Sequence, residues 1–176
     1  MRASVFIAAS LDGFIAREDG TLDWLPTDGV EDHGYDAFIN SVDAIVMGRH
    51  TFEKVLSFGS WPYGGKLVVV LSSKPEQDNV PAGAVCEHMG GKPSDVVAGL
   101  AARGMRHLYV DGGITIQRFL VEGLIQRMII TRIPVLLGRG IPLFGALSRD
   151  IQLDHVSTRS YASGLVQSEY TIRATA

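Results

Sequence analysis

The sequence predicts a three-layer α/β fold: a mixed, mostly parallel central sheet with helices on both faces and an antiparallel hairpin at its C-terminal end. Three patterns predict it. Apolar, β-branched runs alternate with single helix-length stretches, which implies parallel pairing through right-handed crossovers. Two of these runs lead directly into glycine-marked helix starts, Met47-Gly48-Arg49-His50-Thr51-Phe52-Glu53 and Asp111-Gly112-Gly113-Ile114-Thr115-Ile116-Gln117. The last two runs are joined by the short turn Ala162-Ser163-Gly164, the signature of a hairpin.

Taken in order, Ser4–Ala9 reads as a buried strand, Glu31–Ser41 as a helix and Ala44–Met47 as a second strand. A short helix spans Thr51–Ser57. Lys66–Leu71 is a dense Val/Leu strand, and Ala84–Glu87 a short one. Ser94 can cap a helix running to Ala102, because its hydroxyl can accept from an unpaired first-turn N–H. Arg106–Val110 returns to strand, and the helix after Gly113 ends near Gly123. From Arg127 the pattern changes to strand Met128–Ile133, a loop rich in Gly and Pro, and the strands Ile151–Tyr161 and Leu165–Ile172.

The 176 residues suit one domain over 1–176, and 46% apolar with 20% charged residues is the composition of a globular core. A formal charge of −3 offers no broad basic face, so nucleic acid is not an expected partner. Cys86 is the only cysteine, which excludes an intrachain disulfide, and no histidine pair has metal-ligand spacing, so no metal is expected. No apolar run approaches membrane-spanning length and the apolar start Val5–Ala9 is too short for a secretory signal. The expectation is a soluble, unprocessed, cytoplasmic protein.

A strand-to-helix junction leaves the first backbone N–H groups without intrahelical partners at the positive end of the helix dipole, so it stabilises a phosphate. Two such junctions at neighbouring strand ends can hold the pyrophosphate of a dinucleotide from both sides. The sequence therefore reads as a nucleotide-cofactor enzyme.

At these residues the chain resembles the dihydrofolate-reductase-like superfamily, and within it the RibD C-terminal family, the reductase domain of riboflavin biosynthesis. The resemblance spans nearly the whole chain. Ile7-Ala8-Ala9-Ser10-Leu11-Asp12-Gly13-Phe14-Ile15-Ala16 is similar to the family's first strand and the loop closing over nicotinamide, and Asp23-Trp24-Leu25-Pro26 to its following turn. Val46-Met47-Gly48-Arg49-His50-Thr51 resembles the cofactor-phosphate segment, Leu71-Ser72-Ser73 the strand end beside the adenosine phosphate, and Asp111-Gly112-Gly113 the diglycine turn, whose central peptide the resemblance implies to be cis. Pro134–Phe144 resembles the riboflavin-type rather than the pterin-type branch.

The resemblance implies an NADPH-dependent oxidoreductase similar to 5-amino-6-(5-phosphoribosylamino)uracil reductase, acting on a small-molecule substrate as a homodimer. Cofactor contacts are then expected at Ala8, Ala9, Ile15, Ala16, Gly48, Arg49, His50, Thr51, Leu71, Ser72, Ser73, Asp111, Gly112, Gly113, Ile114, Thr115 and Ile116. Arg49 suits the adenosine phosphate, since a guanidinium binds it bidentately, with Ser72, Ser73 and Lys74 as further donors. The bland alternatives are a solvated arginine for Arg49, an N-cap for Thr51 and turn residues for the glycines. Ala8 and Ala9 offer backbone groups to the carboxamide, Ile15 and Ala16 cover the ring, and Leu11–Ala16 serves as a water-excluding lid or as a plain turn.

The substrate acid has two registers. Counting back from Gly48 assigns it to Asp32, whereas aligning the helix on Phe38 puts Gly34 there; Glu31, Asp32 and Asp36 also read as a solvated helix face. A substrate phosphate would draw Arg132 or Arg139. The alternatives are a dihydrofolate or pterin reductase and a nucleotide-binding module without turnover. Leu120–Ile125 and Val135–Leu137 are the apolar segments suited to a two-fold interface.

Overall fold

The computed structural model describes residues 1–26, 31–73 and 80–173. The elements run β1 (Arg2–Ser10), β2 (Phe14–Ala16), α1 (Tyr35–Ser41), β3 (Ala44–Gly48), α2 (Arg49–Leu56), β4 (Leu67–Leu71), β5 (Val85–Met89), α3 (Pro93–Ala102), β6 (His107–Asp111), α4 (Gly113–Val121), β7 (Arg127–Ile133), β8 (Ile141–Pro142), β9 (Leu153–Ser160) and β10 (Val166–Ile172).

Eight strands form one sheet in the order β5-β4-β3-β6-β1-β7-β10-β9. The first six are parallel, and β10 is antiparallel to both β7 and β9. The chain starts at β1, steps outward through β3 and β4 to β5, then reverses to fill the gap with β6 and crosses to β7. Right-handed crossovers put the helices of the outward steps on one face and those of the return on the other.

The two cores show this division. Val96 and Leu100 of α3 and Ile116, Phe119 and Leu120 of α4 pack with Val5, Val46, Val69, Val110 and Ile130. Phe38 and Ile39 of α1 and Phe52 and Val55 of α2 pack with Ile45, Met47, Val68, Val70, Tyr109 and Ile129. Alternate residues of each strand feed opposite cores, as the two-residue period requires. The central strands therefore read as unbroken apolar runs, because helices cover both their faces.

Helix α1 is shorter than the expected Glu31–Ser41. Gly34 sits in the left-handed region at φ 78, and the Asp32 carboxylate accepts its N–H at 2.7 Å, so the chain turns before the helix can begin. Helix α2 starts two residues earlier than expected. The Gly- and Pro-rich stretch contains β8, which pairs with β2 in a small ribbon that the sequence pattern did not suggest, since neither strand is long enough to show alternation. No cis peptide occurs among the described residues, which corrects the expectation at Gly112-Gly113; Gly112 makes its turn through φ 89 and ψ 137. Lys74 lies outside the described residues. Within the expected interface segments, Leu120 and Ile125 belong to the chain's own core, while Val121 and Leu136 are exposed.

Phe119 is fully buried between α4 and the sheet. Phe119→Ala is expected to lower unfolding free energy by about 3–5 kcal/mol through lost burial and an unfilled cavity, measured by urea denaturation.

Candidate functional site

Two helix starts meet at the C-terminal edge of the sheet. Strands β3 and β6 are parallel neighbours with Met47 opposite Asp111, so α2 and α4 begin side by side while lying on opposite faces. A Cβ on Gly48 would stand 3.0 Å from Thr115 Oγ1 of α4. One on Gly112 would collide with Thr51 Oγ1 of α2 and lie 3.3 Å from Thr51 Cβ. Each glycine thus faces the threonine of the other helix, and the absence of side chains at both lets the two starts abut. Their positive dipole ends sum at one place, an arrangement that favours an anion.

Beside this junction lies an open cleft of about 570 Å³, bordered by Arg49, His50, Glu53, Leu71, Ser72, Ser73, Met89, Gly90, Gly91 and Arg118. Leu71 ends β4 directly opposite Gly48. Arg49 Nε donates to Glu53 Oε1 at 2.7 Å, one helical turn on, and this bond holds the Glu53 carboxyl below its usual range. Arg118 reaches the cleft from α4 and donates to the Gly91 carbonyl at 3.3 Å. A cleft with two guanidiniums, one from each helix, suits a phosphorylated nucleoside.

The segment after β1 closes over the same edge. The Asp12 carboxylate accepts from Ser10 Oγ at 2.6 Å, Leu137 N at 3.1 Å and Gly138 N at 2.7 Å. These bonds, the Ser10 hydroxyl first, hold its pKa below the usual carboxylate value. Leu143 N donates to Gly13 O at 2.9 Å. The ribbon β2–β8 then rests on α4: a Cβ on Gly113 would lie 3.0 Å from Pro142 O and 3.1 Å from Ile15 Cδ1, and Gln117 Nε2 donates to Pro142 O at 3.1 Å. Leu11–Ala16 is therefore tied down at Asp12, at Gly13 and through the β2–β8 ribbon.

The α1 face beside this segment carries Phe6 and Ala8 of β1, Asp111 of β6 and Thr131 of β7, with Ala8 paired to Thr131. Tyr109 Oη donates to Phe6 O at 2.9 Å, and Asp111 Oδ1 accepts Gly112 N at 2.8 Å. Burial pushes the Asp111 carboxyl up to about 6, against the opposing hydrogen bond from Gly112 N. Tyr35 is raised to about 12 by burial and by the charge of Asp111; Tyr63 and Tyr109 are raised further for the same reasons. A carboxyl raised to about 6 at a strand end, beside the two helix starts, is a candidate for acid–base chemistry.

The structure brings Gly48, Arg49, His50, Thr51, Leu71, Ser72, Ser73, Asp111, Gly112, Gly113 and Thr115 to one strand-end cluster. Ile114 stands exposed in the first turn of α4, but the Ile116 side chain is wholly in the core. Ala9 also faces the core, so only its backbone is available, whereas Ala8 is half-buried on the α1 face. Asp32 is exposed on the turn before α1 and not on the helix. Arg132 alternates with Ile129 and Thr131 and so leaves β7 on the opposite face. Arg118, Thr131 and Gln167 were not singled out by the sequence. Arg118 is legible in hindsight, one helical turn and a half beyond the diglycine, but nothing local marks the other two.

This strand order, with two helix starts converging at the switch between outward and returning crossovers, defines the dihydrofolate-reductase-like class. Dihydrofolate reductase from Enterococcus faecalis, complexed with NADP(H), superposes with a TM-score of 0.67 over 98% of this chain and 97% of its own, at 17% identity. The chain belongs to the RibD C-terminal domain family, whose sequence profile matches residues 4–167. The uncharacterized protein YwjB of Bacillus subtilis is 36% identical over 172 residues, covering 92% of each chain. A crystal structure from Shewanella sp. PV-4, whose name assigns it provisionally to riboflavin biosynthesis, is 43% identical with a TM-score of 0.88, over 99% of this chain and 100% of its own.

Gly112→Ala is expected to cost about 2–5 kcal/mol of stability, from strain at positive φ and collision with Thr51. Adding Thr51→Ala should recover only the collision share, as read from denaturant midpoints. Asp111 carries a raised pKa in the folded state, so its contribution to stability is full below the ordinary 3.8 and is lost as pH rises through about 6. Asp111→Asn should therefore gain stability over the parent progressively across that interval and hold a constant gain above it, measured by unfolding at a series of pH values.

Proposed function

We propose that the chain is an NADPH-dependent reductase that passes hydride to a small heterocyclic or ribosylamine acceptor, in the manner of 5-amino-6-(5-phosphoribosylamino)uracil reductase. The observation that carries this reading is the reciprocal contact of Gly48 with Thr115 and Gly112 with Thr51, which builds one anion site from two helix starts. Membership of the RibD C-terminal domain family supports it. The residues fit the cofactor: the paired helix starts suit a diphosphate, and Arg49 and Arg118 suit the adenosine end with its extra phosphate.

Bound NADPH would supply the hydride. The chain's part is to orient and to keep dry. Ala8 keeps the floor of the α1 face low enough for flat rings, and the cover held by Asp12 excludes water from the reacting centre. Reduction of a C=N or C=O bond also needs a proton on the heteroatom, and Asp111, whose carboxyl is raised to about 6 by burial, is the group on this face suited to exchange one. Helix α1 presents Tyr35 and Phe38 to this face, and its first-turn acid, Asp36, is exposed, which favours the ribosylamine acceptor over a pterin.

NADPH oxidation should be seen with 5-amino-6-(5-phosphoribosylamino)uracil and not with dihydrofolate. Arg49→Ala should weaken NADPH roughly 10- to 100-fold, the value of a charge-assisted contact, and NADH far less. Tight NADPH binding with no turnover on either acceptor would reject the reductase reading, and equal losses for both cofactors would reject the role of Arg49.

A further inference from the structure

The terminal hairpin reaches the α1 face of the sheet, where Gln167 with Ser157, Arg159, Tyr161 and Glu169 lines a cavity beside the Asp32–Gly34 turn. Gln167 Nε2 donates to Thr131 Oγ1 at 2.9 Å and to the His33 carbonyl at 3.0 Å, and its Oε1 accepts from Tyr161 Oη at 3.3 Å. The orientation of the amide is forced, because a backbone carbonyl can only accept and so must face the nitrogen. The His33 carbonyl is itself held. The Glu31 carboxylate accepts Ala162 N at 2.9 Å and the Ser163 hydroxyl at the hairpin tip, and the His33 ring packs edge-on to Tyr161 at 4.6 Å.

A consequence follows for Thr131. Its oxygen is already an acceptor from Gln167, so its own proton must be donated elsewhere, and no acceptor for it occurs among the described residues. Thr131 is 6% exposed and stands beside half-buried Ala8 on the floor of the α1 face. A buried hydroxyl whose donor is unspent favours a ligand that supplies a lone pair.

We propose that Gln167 is a positioning residue that turns the Thr131 hydroxyl into a hydrogen-bond donor toward the acceptor. The acceptor is then one that presents a carbonyl oxygen or an unprotonated ring nitrogen at that corner, as an oxo-pyrimidine does. This rests on the reductase reading for its site but not for its chemistry, which is recognition. Gln167→Glu reverses the arrangement: the carboxylate has no N–H, Thr131 donates to it, and a lone pair turns toward the ligand.

The test is a double-mutant cycle in the NADPH-loaded protein with 5-amino-6-(5-phosphoribosylamino)uracil as acceptor, each variant first shown to bind NADPH as the parent does. Thr131→Val and Gln167→Leu should each raise the acceptor KM about tenfold, the worth of one buried hydrogen bond, with kcat and NADPH affinity little changed. In the Thr131→Val background Gln167→Leu should add less than about twofold, since the bond it orients is already gone. Gln167→Glu should weaken the acceptor at least as much as Gln167→Leu. Additive losses, or losses in kcat and NADPH affinity alone, would mean that Gln167 is merely structural and would overturn the proposal. The same cycle read by calorimetry with uracil needs no turnover: coupled losses of uracil binding without NADPH oxidation would sink the reductase reading and leave this one standing, and absence of both would sink both.

Discussion

The structure depends on a close contact between two helix starts that arrive from opposite faces of one sheet. Strands β3 and β6 become neighbours only because the chain moves outward to β5 and returns, and the right-handed crossover rule then sends α2 and α4 to different faces. A side chain on Gly112 would collide with Thr51, and one on Gly48 would crowd Thr115. With both bare, the threonines interlock, and two partial positive charges fall within reach of one diphosphate. The cleft and the β2–β8 ribbon are both arranged around this point.

The cover is held by polar bonds rather than by apolar mass. Asp12 satisfies three donors, two of them backbone N–H groups of the Val135–Gly138 stretch, and the three-residue β2 gains its only sheet partner from β8. Such a ribbon would not persist alone, since two very short strands bury too little. Gln117 of α4 anchors it from below, so the helix that begins at the diglycine also supports the ribbon. On the other face, burial raises the Asp111 carboxyl to about 6, while the hairpin reaches across β7 to Thr131.

Much of this was legible in the residues. The continuous apolar runs of β3, β4 and β6 announced strands covered on both faces, and the glycines at 48, 112 and 113 announced close approach. The boundaries of α1 were not legible, because the Asp32–Gly34 turn competes with a helix pattern that is otherwise sustained by Phe38 and Ile39. That competition also removed Asp32 from the helix to which counting had assigned it. Ile116 was expected as a cofactor contact from the family resemblance, but its direction around α4 turns its side chain into the core.

The sequence by itself determined the layers, the parallel order of elements and the two glycine-marked helix starts, since each follows from local periodicity and the conformational needs of a few residues. It also determined the family. Only the tertiary structure decided which partners face each other across the junction, that Arg118 joins Arg49 in one cleft, and that Gln167 meets Thr131 thirty-six positions away. The physical reason is that a helix start or a strand residue carries its own conformation in its neighbours, whereas the direction of a hydroxyl proton or the pKa of a buried carboxyl is set by groups that only the folded sheet brings within reach.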